Sequence, residues 1–500
     1  MNPSTYLLVA MCLPAVASPL IILMGERHRN LREMVTLTTG ILTFGFVLQL
    51  LPLVMAGTRP EIHLLQIFPG VNIAFQIEPL GMLFAMVASG LWVVTSCYSI
   101  GYMRGHHEVD QTRFFFFFAI AITAALAVAF ASNLFTLFVA YEILTLSTYP
   151  LVTHSRTAEA MRGGRVYLGI LISTSVAFLL LAILWTWNLT GTLEFVPGGI
   201  LQGQSDFVVV ALLALYAFGT GKAALMPFHR WLPSAMVAPT PVSALLHAVA
   251  VVKAGVFTIV KIIVYIFGLD LLQDTSSSVW LMYVAGGTIV IASLVAMTKD
   301  NLKARLAYST VSQLSYIVLG AALATSWGIV GGSMHIAMHA FGKITLFFCA
   351  GAINVALHKT EISDMNGIGR HMPITMFCFM VGTLSVIGIP PLGGSWSKWY
   401  IALGAIDAGH LIFVAVLMIS SLLNIAYLIP IPIRAFFPKT MDAVPASAGA
   451  AATQDGESPK GFNEAPAFMV IPICFTALGC LVLFFYAGEI YRLLLPIAGK

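Results

Sequence analysis

Apolar runs of about twenty residues recur along the whole chain, each long enough to cross a hydrocarbon layer roughly 30 Å thick as a helix. The pattern predicts fourteen spans, at 4–24, 32–54, 79–101, 113–131, 133–153, 164–187, 207–237, 241–267, 278–298, 303–323, 327–357, 373–403, 410–433 and 465–488. Connections are short except 434–464, where "DAVPASAGAAATQDGESPKG" is small and polar and reads as a linker. The seventh span is broken at Pro227 in "KAALMPFHRWLP", and the twelfth by Pro390, Pro391, Gly393 and Gly394 in "IGIPPLGGSWSKWY". Such breaks free backbone groups, which are tolerated at depth only inside protein or beside a wet cavity, and in transporters they mark the ion site.

Helix counting adds an orientation. Spans 4–8 and 9–13 enter from opposite sides, so 113–267 and 278–433 are expected to form two inverted five-helix repeats. They sit between an N-terminal part, 1–112, with three spans, and the loop 434–464 followed by 465–500 with the fourteenth. Lys222 precedes one break and Lys398 follows the other, as repeats of opposite orientation require. The expected fold class is an all-α polytopic membrane protein.

Composition agrees. Of the 500 residues 59% are hydrophobic and 9% charged, against about 25% charged in soluble domains; the mean hydropathy is +0.92. "PAVASP" in the first span faintly resembles a signal-peptidase site, but no basic segment precedes it, so a retained span is expected. The net charge of +4 is spread through short loops and does not suggest a nucleic-acid partner. With the N-terminus outside, loops on the cytoplasmic side hold 17 Lys and Arg and the outer loops and tails hold Arg59, Arg492 and Lys500. The positive-inside rule therefore places both termini outside. Cys12, Cys97, Cys349, Cys378, Cys474 and Cys480 lie singly, without metal-site spacing, and read as small core residues.

Five basic residues remain within the spans, all lysines: Lys222, Lys253, Lys261, Lys343 and Lys398. Of the 21 acids only Glu142, in "LFVAYEILTLSTYPLV", lies deep in a span. Ionisable side chains at the bilayer centre are costly, and each is a functional candidate. Lysine suits proton handling because a buried ammonium gives up its proton where a guanidinium does not. Glu142 and Lys222 are expected to form a switchable pair. Lys261, near its span's end in "FTIVKIIVYIFG", fits snorkelling as well as function. In "MHIAMHAFGKITLFF" His335, His339 and Lys343 fall at i, i+4 and i+8, on one helix face, with about 6 Å of rise between neighbours. Three titratable groups on one stripe describe a proton relay; no acid or cysteine is placed to complete a metal site. His247 shares its span with Lys253 and is a fainter candidate. No phosphate loop, haem motif, dinucleotide fingerprint or nucleophile elbow occurs, so no cofactor and no cofactor chemistry are expected.

"APTPVSALLHAVAVVKAG", "MHIAMHAFGKITLFFCAGAI" and "HKTEISDMNGIGRHMP" resemble the antiporter-like subunits of respiratory complex I and their relatives in Mrp-type cation/proton antiporters and membrane-bound hydrogenases. The resemblance covers roughly 75–435. It implies fourteen helices, two inverted repeats and broken helices seven and twelve. It also implies a proton path: Glu142 as the fifth-helix glutamate, Lys222 as the seventh-helix lysine, and Lys253 as the central lysine with His247 beside it. His335, His339 and Lys343 match the eleventh-helix stripe, and Lys398 the terminal lysine. The chain's size and C-terminal end suit the Mrp D type. The expected function is proton translocation in a multi-subunit Na+/H+ antiporter of a prokaryotic inner membrane, with other membrane subunits as partners and protons and Na+ as cargo. The alternative is a proton-pumping subunit of a redox-driven complex, an NADH-quinone oxidoreductase or a membrane-bound hydrogenase.

Overall fold

The computed structural model of the chain describes residues 2–245, 249–437 and 463–499. His247 and most of the expected 434–464 loop lie outside the described residues. The long helices are α1 (Pro3–Met24), α2 (Arg29–Met55), α3 (Pro79–Gly105), α4 (Gln111–Phe130), α5 (Leu134–Val152) and α6 (Ala158–Thr190). They continue with α7 (Asp206–Gly219), α8 (Val251–Phe267), α9 (Val279–Met297), α10 (Leu302–Ala322) and α11 (Ser326–Leu357). The last are α12 (Pro373–Ile387), α13 (Gly394–Asp407), α14 (Leu411–Phe436) and α15 (Ala467–Phe485). Each of the fourteen predicted spans falls on one of these helices or, for the twelfth, on the pair α12 and α13. Among the described residues ten helices are individually long and apolar enough to cross a bilayer. The others are interrupted or short, or, like α10, rich in Ser, Thr and Gln. The chain is a multi-pass integral membrane protein.

Side chains satisfy the first turns of several helices, whose orphan N–H groups have no water to turn to in a membrane. Asn133 accepts from the Thr136 N–H, Asn301 from that of Ala304 and Thr325 from that of Gly328. Glu78 caps α3 by accepting from the Leu80 and Gly81 N–H groups at 2.7 and 2.9 Å.

The structure departs from the sequence reading in several places. The connection between α2 and α3 is an antiparallel hairpin, β1 (Glu61–Phe68) with β2 (Val71–Gln76). Gly70, at φ +82, supplies the left-handed residue that its turn needs. The hairpin escapes a span-based reading because β1 is almost wholly exposed and has no buried alternation. The seventh span breaks at Thr220, seven residues before Pro227, so Lys222 lies within the break rather than ahead of it. The eighth span is not continuous: a short helix, Thr240–Ala244, precedes α8. Finally Arg32, read as a loop charge, is fully buried and donates to Glu26 at 2.8 Å, Thr112 at 2.9 Å and Gln111 at 2.9 Å, joining the α1–α2 turn to α4.

The core centres on α11, which packs against α3, α10, α12, α13 and α15. Every residue from Gly328 to Ile353 except Phe341 is buried. The outer surface carries exposed apolar side chains such as Leu23, Phe207, Leu411, Leu422 and Phe485, which suits hydrocarbon as the solvent. Cys378 and Cys474, expected to lie singly, approach to 3.9 Å between α12 and α15, and Cys474 is exposed rather than in the core.

Candidate functional site

The seventh-span break forms because the chain there is held at close range by its neighbours. A Cβ on Gly219 would collide with the Leu179 backbone in the π-helical turn of α6, and one on Gly255 of α8 would collide with the Lys222 and Ala223 backbone. Lys222 therefore sits in a 3₁₀ turn, Gly221–Ala223, pressed between α5 and α8. Its side chain is fully buried. The amine donates to the Tyr141 carbonyl at 2.8 Å and to the Thr145 hydroxyl at 2.5 Å, and lies 3.1 Å from the centre of the Tyr141 ring. The Lys222 N–H, freed by the break, donates to the Tyr141 hydroxyl at 3.0 Å.

Glu142 is the residue after Tyr141 on α5. Both of its carboxylate oxygens are buried and without a hydrogen-bond partner among the described residues, a costly arrangement for a charge. The expected Glu142–Lys222 contact is not made: α5 presents the Tyr141 carbonyl and Thr145 to the amine and turns Glu142 aside. The two groups share one helix neighbourhood but are unpaired in this conformation.

Lys253, on α8 two residues from the Gly255 contact, is fully buried and joins the next element. Its amine shares a 2.6 Å hydrogen bond with Nδ1 of His339 on α11. Four residues away on the same face, the His335 ring stacks on that of His339 with centroids 5.6 Å apart. His335 Nδ1 lies 2.8 Å from the Ser397 hydroxyl of α13, and its Nε2 lies 3.1 Å from Oε1 of Gln313 on α10. Ser397 adjoins Lys398 in sequence.

The twelfth-span break works in the opposite sense to the seventh. α12 ends at Ile387 with Gly388 at φ +93, and Lys398 reaches back to donate to the Val386 and Ile387 carbonyls at 2.9 Å each. Those are unpaired carbonyls at a helix C-terminus, where the macrodipole favours a cation. The same amine lies 4.8 Å over the Tyr316 ring. Lys343, the third member of the α11 stripe, points elsewhere: it is fully buried and donates to the Leu306 carbonyl of α10 at 3.2 Å.

Of the sequence-predicted residues, the structure thus joins Lys253, His339 and His335, and brings His335 to the residue before Lys398. It leaves Lys343 on a side branch and Glu142 unpaired. Lys261 does not snorkel. Its buried amine lies 3.3 Å from a Glu78 oxygen and donates to the Ala131 carbonyl at 2.8 Å, while Tyr265 donates to the other Glu78 oxygen at 3.2 Å. These groups line a cavity of about 510 Å³ with Arg59, Ser132 and Asp270. Glu78 was missed because it stands just outside a span; the signal for it was a buried lysine in need of a carboxylate. Gln313, Ser397 and Tyr316 carry no charge and gave no separate signal. Among the described residues no group of three or more His, Cys, Asp or Glu gathers to hold a metal ion.

The family profile described as "NADH:quinone oxidoreductase/Mrp antiporter, TM" matches residues 131–424, and that described as "NADH-Ubiquinone oxidoreductase (complex I), chain 5 N-terminus" matches 69–115. NADH-quinone oxidoreductase subunit N of Desulforudis audaxviator is 31% identical over 430 residues, 84% of each chain. The fold is shared with a chain in the structure of the Mrp complex from Dietzia sp. DQ12-45-1b, with a TM-score of 0.86 and 21% identity over 100% of this chain and 97% of that one. It is also shared with a chain of the membrane-bound sulfane sulfur reductase, an archaeal respiratory membrane complex, with a TM-score of 0.83 and 24% identity over 99% and 96%.

Proposed function

The chain belongs to the NADH:quinone oxidoreductase/Mrp antiporter family of membrane subunits, and on that premise we propose that it is the proton-translocating subunit of an Mrp-type Na+/H+ antiporter. The path runs through Glu142, Lys222, Lys253, His339, His335 and Lys398, with Lys343 as a branch and His247 as a further relay candidate. The observation that carries this reading is the 2.6 Å bond between Lys253 and His339. It ties the titratable groups of block 113–267 to those of block 278–433, and it lies where no single helix holds both.

The steps follow from the chemistry of the groups. Lys222 is held by neutral acceptors, so its amine can lose a proton without breaking a fixed ion pair. Glu142 has two oxygens without a hydrogen-bond partner among the described residues and gains strongly when a cation reaches it. Closing such a pair to about 4 Å at an effective dielectric near 20 is worth roughly 4 kcal/mol, about three decades in a proton equilibrium. Making the pair holds the proton on Lys222. Opening it releases the proton toward Lys253, from which His339 and His335 carry it to Lys398. The two blocks act as half-channels of opposite orientation, with both termini outside the cytoplasmic membrane of a prokaryote and the loop at 434–464 inside. Na+ enters through this subunit or a neighbour, and further membrane subunits complete the antiporter.

A redox-driven complex is the second reading, favoured by the likeness to an NADH-quinone oxidoreductase subunit and to a chain of a respiratory sulfane sulfur reductase. Purification in mild detergent, with mass spectrometry of the accompanying subunits, separates the two. Small membrane subunits without iron–sulfur or nickel centres, and sodium-driven proton flux in vesicles, support the antiporter. Iron–sulfur or nickel subunits make the chain the pump of a redox enzyme, with the same lysines serving another driver.

A further inference from the structure

His335 is the point at which the path leaves α11 for α13, and both of its ring nitrogens are engaged there. Nε2 faces Oε1 of Gln313 at 3.1 Å and Nδ1 faces the Ser397 hydroxyl at 2.8 Å. The Ser397 hydroxyl in turn donates to the Gly394 carbonyl at 3.2 Å. All three side chains are buried. A neutral amide does not accept a proton near neutral pH, so a nitrogen bonded to Gln313 is closed to exchange, whereas a hydroxyl both accepts and donates. The two partners of the ring are therefore not equivalent.

We propose that Gln313 and Ser397 serve the hand-over between His335 and Lys398: Gln313 is a positioning residue that holds the Nε2 proton, and Ser397 is the relay hydroxyl through which Nδ1 exchanges. This rests on the proton-path reading above. With the Gln313 oxygen accepting from Nε2–H and the Ser397 hydroxyl turned to Gly394, both nitrogens act as donors, which is the loaded imidazolium. On release the Nδ1 proton passes to Ser397 Oγ, and the hydroxyl's own proton leaves the Gly394 carbonyl for a deprotonated Lys398 amine that swings off the Val386 and Ile387 carbonyls to receive it. The hydroxyl is then left donating to a bare Nδ1. One proton enters and one leaves, and Nε2–H never breaks its bond. Were Nε2 free to lose its proton, the neutral ring would also adopt the Nδ1–H tautomer, which offers Ser397 no acceptor. The charged and titratable groups around the ring are His339 on α11, Tyr316 on α10 with its ring centroid 5.6 Å away, Lys398 on α13 and, through His339, Lys253 on α8. None of them replaces the Gln313 contact at Nε2.

The test uses the intact complex in vesicles, with proton flux followed from pH 6 to 9 and assembly checked by co-purification. Ser397→Ala and Gln313→Leu are each expected to lower flux at least about tenfold without loss of assembly, a modest share of what a positioned proton-transfer group contributes. Ser397→Thr restores the hydroxyl and is expected to restore flux. Gln313→Glu keeps the acceptor but adds a charge that holds the imidazolium, so flux persists with its pH profile displaced to higher pH. Both rescue variants retain the polar contacts, so they report even if an apolar variant fails to assemble. Wild-type flux in assembled Ser397→Ala, or an undisplaced profile in Gln313→Glu, overturns the proposal. Lys222→Ala is run alongside. If it alone abolishes flux, the hand-over has failed and the path stands; if it too transports normally, the path reading has failed.

Discussion

The Lys253 amine and Nδ1 of His339 stand 2.6 Å apart, on helices from opposite halves of the chain. Both side chains are buried, and the bond crosses from α8 to α11 without a bridging acid. A hydrogen bond of this kind is worth about 1 kcal/mol net as a structural tie, so its removal alone does not unfold the protein.

A glutamine at His339 separates tie from relay. Its carbonyl oxygen still accepts from the lysine, but it does not carry a proton. His339→Gln is therefore expected to assemble normally and to lose proton flux at least about tenfold. Flux assays on the co-purified complex decide the point. Unchanged flux would make the contact a packing feature.

Glu142 leads to a second expectation. Its two carboxylate oxygens are buried without hydrogen-bond partners among the described residues, so in this conformation an anion there carries a desolvation cost that no hydrogen bond offsets. Glu142→Gln removes the charge, keeps the volume and leaves the complex as stable as the parent or slightly more so by thermal denaturation. Flux falls, because Lys222 loses the acid that acts on it among the described residues. A variant that is destabilised by several kcal/mol and still transports would show that Glu142 only fixes helix packing.

Much of this was legible in the sequence because lipid imposes strict rules. Span length, interrupted helices and the rarity of buried charge pointed to the lysines and histidines, and the i, i+4 spacing placed His335 and His339 on one face. What was not legible depends on which helices touch. The Glu78–Lys261 pair joins residues 183 positions apart through two packed elements, and the Gln313 contact needs α10 set beside α11. The position of the seventh break was misjudged because Pro227 is the conspicuous breaker, whereas the close approach of Gly219 and Gly255 to their neighbours decides where the helix ends. The surface hairpin was invisible to a search for buried periodicity.

The Glu78–Lys261 pair is expected to be a structural lock. Removing one partner of a buried pair costs about 3–5 kcal/mol, whereas removing both together costs far less. Glu78→Leu and Lys261→Met are each expected to lower the melting temperature and yield of the complex, and the double variant to recover most of the loss. A double variant as impaired as the sum of the singles would contradict this.

On the proposed path, Lys222 works by gaining and losing a proton inside the broken seventh span. Proton flux driven by a sodium gradient, measured in vesicles holding the intact complex with Lys222→Arg, addresses it most directly. Arginine keeps a positive charge and hydrogen-bond donors for Tyr141 and Thr145 but does not release a proton. Assembled complex with flux reduced to that of Lys222→Ala is the predicted result. Flux at the parent rate would show that only a fixed charge is needed at this position, and the proton path would not run through it.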